Sequence, residues 1–97
     1  MATYRLTRHA RRDLLEIWQR IAEDDEPAAD RFIDLFIHHF QILGENLRAG
    51  RRRDELRPSY RSFPAGEYLI FYRIAEPGVR VMSVAHGRRD LAASFHP

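Results

Sequence analysis

The stretch Glu67-Tyr68-Leu69-Ile70-Phe71-Tyr72-Arg73-Ile74 decides the fold that this sequence predicts. Its aromatic and branched residues suit a pleated, partly buried surface, which indicates a β-strand. Apolar side chains fall on both alternating sets, as is typical of a strand in the middle of a sheet. Turn residues flank it at 64–66 and 76–78. Beyond these turns lie two more extended runs, 60–63 before the strand and 79–86 after it. Connections this short join antiparallel neighbours, so the three runs predict a meander.

Two amphipathic helices are predicted before the meander. Thr7 is suited to cap the first helix, whose apolar residues recur at helical spacing and which ends near Glu23. Pro27 suits the first position of the second helix, and Gly50 is suited to end it. The short link between the helices predicts an antiparallel helical hairpin.

The order of elements predicts an α+β fold. A short strand at 2–6 precedes the helices and is expected to pair with one of the meander strands. The helical hairpin then packs on one face of a four-stranded, mainly antiparallel sheet in the order β-α-α-β-β-β. The connection 48–58 is polar and arginine-rich, and the ordinary interpretation of such a run is a solvated loop. We expect residues 1–97 to form a single domain.

Composition restricts the classes of function. The chain has no cysteine, which leaves neither a disulfide framework nor a thiol nucleophile. No apolar run reaches the ~20 residues that span a bilayer and no signal pattern precedes the fold, so we expect a cytoplasmic protein. Residues 1–47 hold six arginines and nine acids, whereas residues 48–97 hold ten arginines and five acids. The absence of lysine fits either a need for bidentate guanidinium groups or a genomic composition bias.

The usual catalytic motifs are missing. His38 and His39 are adjacent on a predicted helix, where their side chains diverge by about 100° and cannot easily share a metal ion. The sequence has no nucleophile elbow and no glycine-rich phosphate loop. We therefore predict no metal site.

One basic constellation follows the meander strands. Neighbouring strands are expected to bring its members together, and with nearby tyrosines they could bind a nucleic-acid backbone. If the ligand were RNA, His86 could act as general acid or base while arginines stabilise the charged phosphate. The alternatives are that the arginines face water or pair with acids, or that they dock an acidic protein segment. The members are Arg61, Arg73, Arg80, His86, Arg88 and Arg89.

The order of short motifs along nearly the whole chain resembles the RelE/ParE toxin superfamily, and specifically its ParE branch. Segments 4–18 and 28–33 are similar to its first strand and two helices, and the glycine-arginine segment 50–57 is similar to its connection. The hairpin 60–73 and the closing motif His86-Gly87-Arg88-Arg89-Asp90 complete the resemblance.

This resemblance implies the toxin of a two-gene toxin–antitoxin module, without a cofactor or small-molecule substrate. The expected partner is a ParD-like antitoxin, which forms a hetero-oligomer such as a heterotetramer and whose disordered tail folds along the toxin. Trp18, Leu35 and Ile42 are then the expected antitoxin contacts, although Leu35 and Ile42 also fit a wide core-facing stripe of the second helix. The expected target is DNA gyrase, contacted by the basic constellation.

The alternatives are a RelE-like ribosome-dependent ribonuclease and an inert antitoxin-binding module. The nuclease would use His86 with Arg61, Arg73 and Arg88. Gly66, however, is not followed by the basic residue of RelE-type nucleases, and Phe95 offers no hydroxyl where they carry a C-terminal tyrosine. These departures favour the ParE branch, which is expected to poison gyrase by trapping its cleaved-DNA state and to perform no chemistry of its own.

Overall fold

The computed structural model describes residues 3–88. Its seven elements are β1 (Tyr4–Leu6), α1 (Arg8–Ala22), α2 (Glu26–Glu45), β2 (Arg51–Arg52), β3 (Arg61–Ala65), β4 (Tyr68–Ala75) and β5 (Gly78–His86). Within this part of the chain, no helix is both long and apolar enough to cross a bilayer.

The sheet has five strands in the order β1-β5-β4-β3-β2, with β4 at its centre. The predicted meander is confirmed, because β3, β4 and β5 are successive antiparallel neighbours. β1 pairs with β5 in parallel, which closes one side of the sheet. The prediction of four strands was one short, since Arg51 and Arg52 pair with Ser62 and Arg61 inside the connection expected to be a loop.

A register shift in β5 decides which residues share a face. Phe71 pairs with Ser83 and Tyr72 pairs with Val81, so Met82 is an extra residue on β5. Such a bulge reverses the alternation of side chains along one strand. Val79 and Val81 on one side of it and Val84 on the other therefore all join the core under the helices.

Helix α1 begins as the sequence predicts. The Thr7 hydroxyl accepts a hydrogen bond from the Ala10 N–H at 3.0 Å and donates one to the Met82 carbonyl at 3.0 Å. Asp13 adds a second link to the sheet, because its Oδ2 accepts from the Val84 N–H at 2.9 Å. Thr7 and Asp13 thus hydrogen-bond backbone groups of β5 beyond the end of β1, and these bonds position the helix on the sheet.

Helix α2 differs from the prediction at both ends. Asp25 caps it by accepting from the Ala28 N–H at 3.1 Å, so Pro27 occupies the second helical position instead of the first. It ends at Glu45, with Asn46 as the capping residue. Gly50 lies beyond the helix and is needed for a close approach, since a Cβ there would lie 2.6 Å from the Tyr72 ring.

The core lies between the two helices and one face of the sheet. Phe36, Phe40 and Leu43 of α2 are buried against Tyr68 and Ile70 of β4. Burial of each such side chain contributes about 1.5–3 kcal/mol. The opposite face of the sheet, called the open face here, carries the side chains that alternate with these core residues.

Candidate functional site

Arg73 and Arg80 are cross-strand partners in the register of β4 and β5. Arg73 follows the core residue Tyr72, which places both arginines on the open face. The Arg73 Nε donates to the Pro58 carbonyl at 3.2 Å, and its guanidinium carbon lies 4.9 Å from the centroid of the Tyr60 ring. Arg80 is exposed. These two members of the basic constellation are brought together.

Arg61 lies on the other face and makes structural contacts. Its Nη1 donates to the Gly50 carbonyl at 2.8 Å and to the Arg48 carbonyl at 3.5 Å. Its register partner Tyr72 holds the same segment, donating to the Leu47 carbonyl at 2.9 Å and accepting from the Gly50 N–H at 2.7 Å. Arg61 and Tyr72 therefore fasten the chain that leaves α2, a role that the sequence did not indicate.

Tyr72 is held in its neutral form. Burial raises the pKa of its hydroxyl, while the Gly50 N–H and the nearby charge of Arg61 oppose that rise. The hydroxyl can then both donate and accept, as the two observed hydrogen bonds require.

His86 ends β5 and lies at the opposite end of β4 from Arg73. Its side chain is 11% exposed and its ring packs edge-on against Tyr68, with centroids 5.3 Å apart. Nδ1 accepts from the Arg88 N–H at 3.2 Å, so the neutral ring carries its proton on Nε2. Nε2 lies 3.7 Å from a carboxylate oxygen of Glu67. His86 is thus held within a turn.

The basic constellation does not form one cluster. His86 pairs with Tyr68, whereas Arg61 pairs with Tyr72, four positions further along β4. At ~3.4 Å per residue the two pairs are ~14 Å apart along the strand, and Arg73 lies a further position away on the other face. The expectation that neighbouring strands would unite His86 with Arg61 and Arg73 is therefore corrected by register and by the bulge at Met82.

The remaining members are Arg88 and Arg89. Arg88 is exposed in the turn after His86. Arg89 lies outside the described residues.

Leu35 and Ile42 share one flank of α2. They are seven residues apart and therefore ~20° apart around a helix of ~100° per residue. Leu35 is 47% exposed and Ile42 is half-buried. His39 lies between them, with its ring 5.8 Å from that of Phe63. We call Leu35, His39 and Ile42 the apolar flank.

His39 is the member of this flank with a buried polar atom. Its Nδ1 is buried and has no hydrogen-bond partner among residues 3–88. Burial, and secondarily the charge of His38, lowers the pKa of its imidazole. The ring is therefore neutral in the folded chain over a wider pH range than a free histidine.

Trp18 lies on the other side of α2. Its Nε1 donates to Asp30 Oδ1 at 2.8 Å, which links α1 to α2. Asp30 is ~140° around α2 from Leu35, so Trp18 is not continuous with the apolar flank. Leu15, one turn earlier on α1, is 55% exposed. Sequence reasoning missed Leu15, although its position outside the core stripe of α1 was a usable signal.

Among residues 3–88, no three histidine or acidic side chains are grouped so that they could hold a metal ion. The rings of His38 and His39 lie 6.4 Å apart and are tilted by 52°. The described residues offer charged and apolar surfaces for binding.

Comparison with known proteins identifies the family. A family profile described as "ParE toxin of type II toxin-antitoxin system, parDE" matches residues 4–91. This chain belongs to the ParE toxin family. The assignment agrees with relatives along nearly the full length. Toxin ParE1 of Mycobacterium tuberculosis H37Rv is 34% identical over 93 residues, which cover 91% of this chain and 92% of the relative.

Two further relatives come from Caulobacter vibrioides. Its Toxin ParE1 is 32% identical over 98 residues, covering 99% of this chain and 98% of the relative. Its Toxin RelE3 is 32% identical over 87 residues, covering 89% and 95% respectively. Similarity to proteins of both names fits membership of the ParE family within the RelE/ParE superfamily.

A solved structure confirms the ParE fold. The structure titled "Chromosomal ParDE TA system from P. aeruginosa" superimposes with a TM-score of 0.74 at 19% identity. The match covers 89% of this chain and 96% of the other. The α+β architecture predicted from the sequence is thereby confirmed.

Proposed function

We propose that this ParE-family toxin inhibits DNA gyrase through its basic surface and is neutralised by a ParD-like antitoxin. The proposal that the toxin is not an enzyme is supported by the separation of His86 from Arg61 and Arg73 along β4. A general acid must lie within hydrogen-bond reach of the group it serves, and its charge-stabilising partners must lie nearby. Gyrase as the target is what the resemblance to the ParE branch implies.

The target-binding surface is proposed to comprise the basic residues of the sheet and its closing turn. Arg73, Arg80 and Arg88 are accessible for this role, and Arg89 belongs to the same proposal. Arg61 and His86 are proposed to act indirectly, because both are engaged in holding the backbone. Arginine clusters suit contact with acidic protein segments and with phosphates.

The antitoxin is proposed to lie along α2. The apolar flank lies on one side of this helix, and Leu15 and Trp18 lie towards the other. An exposed leucine on each side gives a folding peptide two apolar anchors, and such segments wrap large surfaces as they fold. The acidic residues on the exposed surface of the helices could make polar contacts at the rim of this antitoxin interface.

The test is the response of cells to expression without the antitoxin. A gyrase poison induces the DNA-damage response while message levels are retained, and this is the expected result. Early arrest of translation with loss of message would instead favour the ribonuclease. Neither effect, from protein shown to be folded and expressed, would leave an inert binding module and contradict gyrase inhibition.

A further inference from the structure

A line of arginines crosses the open face of the sheet. In register, Arg5 of β1 is beside Arg80 of β5, and Arg80 is beside Arg73 of β4. Tyr60 continues the line, since its ring contacts the Arg73 guanidinium, and the Arg53 N–H donates to the Tyr60 carbonyl at 2.8 Å. We call Arg5, Arg80, Arg73 and Arg53 the arginine row.

All four side chains belong to the open face. Tyr4 and Leu6 pack against the core, so Arg5 between them points away from the helices. Arg53 Nε donates to Ser62 Oγ at 2.8 Å, and Ser62 pairs with the open-face residue Phe71. Strands are ~4.8 Å apart, so five of them extend the row over ~19 Å.

The charge of the row is poorly neutralised. The five strands contain no aspartate or glutamate. The side chains of Arg5 and Arg80 are exposed and make no hydrogen bond or ion pair with any residue of the described range 3–88. Arg53 forms an ion pair with Glu55, with its Nη1 3.5 Å from Oε2 of that carboxylate. Like charges placed side by side on a sheet destabilise it. An anionic ligand would relieve this repulsion.

We propose that the arginine row binds the phosphate backbone of duplex DNA. Guanidinium groups match phosphate geometry through paired hydrogen bonds. Proteins that bind single strands instead present exposed aromatic rings for base stacking. Of the two aromatic rings along the described part of the row, that of Tyr60 is in contact with the Arg73 guanidinium and that of Phe71 is fully buried. The row therefore contacts phosphates without reading bases.

The choice of DNA over RNA rests on the proposed gyrase target, whereas the phosphate contact itself does not. Binding to DNA is a property of the chain alone, so it can be measured without gyrase. If the chain does not bind DNA, the cellular DNA-damage test of gyrase inhibition still stands. If the cellular test fails, DNA binding by the purified chain can still be measured.

The experiment is a fluorescence anisotropy titration of a labelled duplex with the full chain between 50 and 200 mM salt, a range over which phosphate contacts weaken strongly. The variant Arg5→Gln/Arg80→Gln is compared with Arg12→Gln/Arg31→Gln, which removes two exposed arginines from the helices. We expect the row variant to bind about tenfold or more weakly and to lower the salt slope by about two, one for each lost phosphate contact. The helix variant should stay within about twofold of the parent, since Arg12 and Arg31 lie on the helices and outside the arginine row.

Three results would overturn the proposal. One is the absence of binding by the parent protein at micromolar concentration and low salt. Another is an equal loss in the helix variant, which would show net charge to be the cause. The third is stronger competition by duplex RNA than by duplex DNA. Circular dichroism melts of each variant establish that the compared proteins are folded.

Discussion

At the scale of single residues, Tyr72 joins the end of α2 to the central strand through one hydroxyl. It is fully buried, and both hydrogen bonds of its hydroxyl go to backbone groups of the 47–50 segment. Replacing it by phenylalanine leaves a buried N–H and a carbonyl without their partner. The cost of such a loss is about 1–3 kcal/mol.

We therefore expect Tyr72→Phe to lower the free energy of unfolding in urea by that amount. Tyr4→Phe is the matched control, because no hydrogen bond to the Tyr4 hydroxyl is present among residues 3–88 and its loss should change stability by less than about 0.5 kcal/mol. Equal effects of the two substitutions would show that the hydrogen bonds to Tyr72 contribute nothing specific.

His39 predicts a pH dependence of stability. Because burial lowers the pKa of its imidazole in the folded state, the unfolded chain binds more protons below the ordinary value of 6.5. The contribution of neutral His39 is fully present above that value and is lost as the pH falls towards the folded-state pKa. We expect His39→Leu to reduce the fall in stability between neutral and mildly acidic pH.

Urea denaturation at several pH values measures this effect, with His38→Gln as the control. His38 is exposed and is the secondary cause of the shift, so its variant should retain most of the pH dependence. A parent-like pH profile in His39→Leu would exclude this histidine as the origin.

At the scale of elements, α2 is the helix on which the proposed antitoxin contact depends. Replacing Leu35 and Ile42 together by serine removes apolar area from the flank, and anchors of this kind cost about 2 kcal/mol or more when they are truncated. We expect the double variant to bind the antitoxin at least about tenfold more weakly by calorimetry. Leu15→Ser tests the other side of α2 separately.

Unchanged affinity in Leu35→Ser/Ile42→Ser, from protein with a parent-like melting temperature, would contradict an antitoxin path along this flank. In that case the exposed Leu35 and the half-buried Ile42 would lie outside the antitoxin contact.

The elements also show which structural features the sequence could reveal. Periodic apolar residues predicted α1, α2 and the central position of β4, because long buried patterns dominate local preference. The two residues of β2 are both exposed arginines, so neither alternation nor burial distinguishes them from a loop. Gly50 was predicted to end α2, but its role depends on Tyr72, which is distant in sequence.

The candidate site was harder to predict for the same reason. Simple alternation along β5 places Arg80 and His86 on one face, since they are six positions apart. The extra residue Met82 moves His86 to the face that carries Tyr68, while Arg80 stays with Arg73. A bulge of this kind has no sequence signal here, and hence the basic constellation could be recognised in composition but not in space.

At the scale of the whole molecule, the helical layer and the sheet differ in net charge. The helices and the link between them hold most of the acids, whereas the strands contain arginines and no acid. A layer of each sign allows two different partners to bind at once or in competition. Because electrostatic contacts of exposed groups are screened by salt, binding at the basic layer should weaken as ionic strength rises.

The proposed inhibition of gyrase through the basic surface of this ParE-family chain is tested most directly by a supercoiling and cleavage assay with purified gyrase. The parent chain is compared with Arg88→Ala/Arg89→Ala and with Arg11→Ala/Arg12→Ala, an adjacent exposed pair on α1. We expect loss of supercoiling with accumulation of linear DNA, relieved in the first variant and retained in the second. No effect of folded protein at micromolar concentration, or equal relief in both variants, would contradict it.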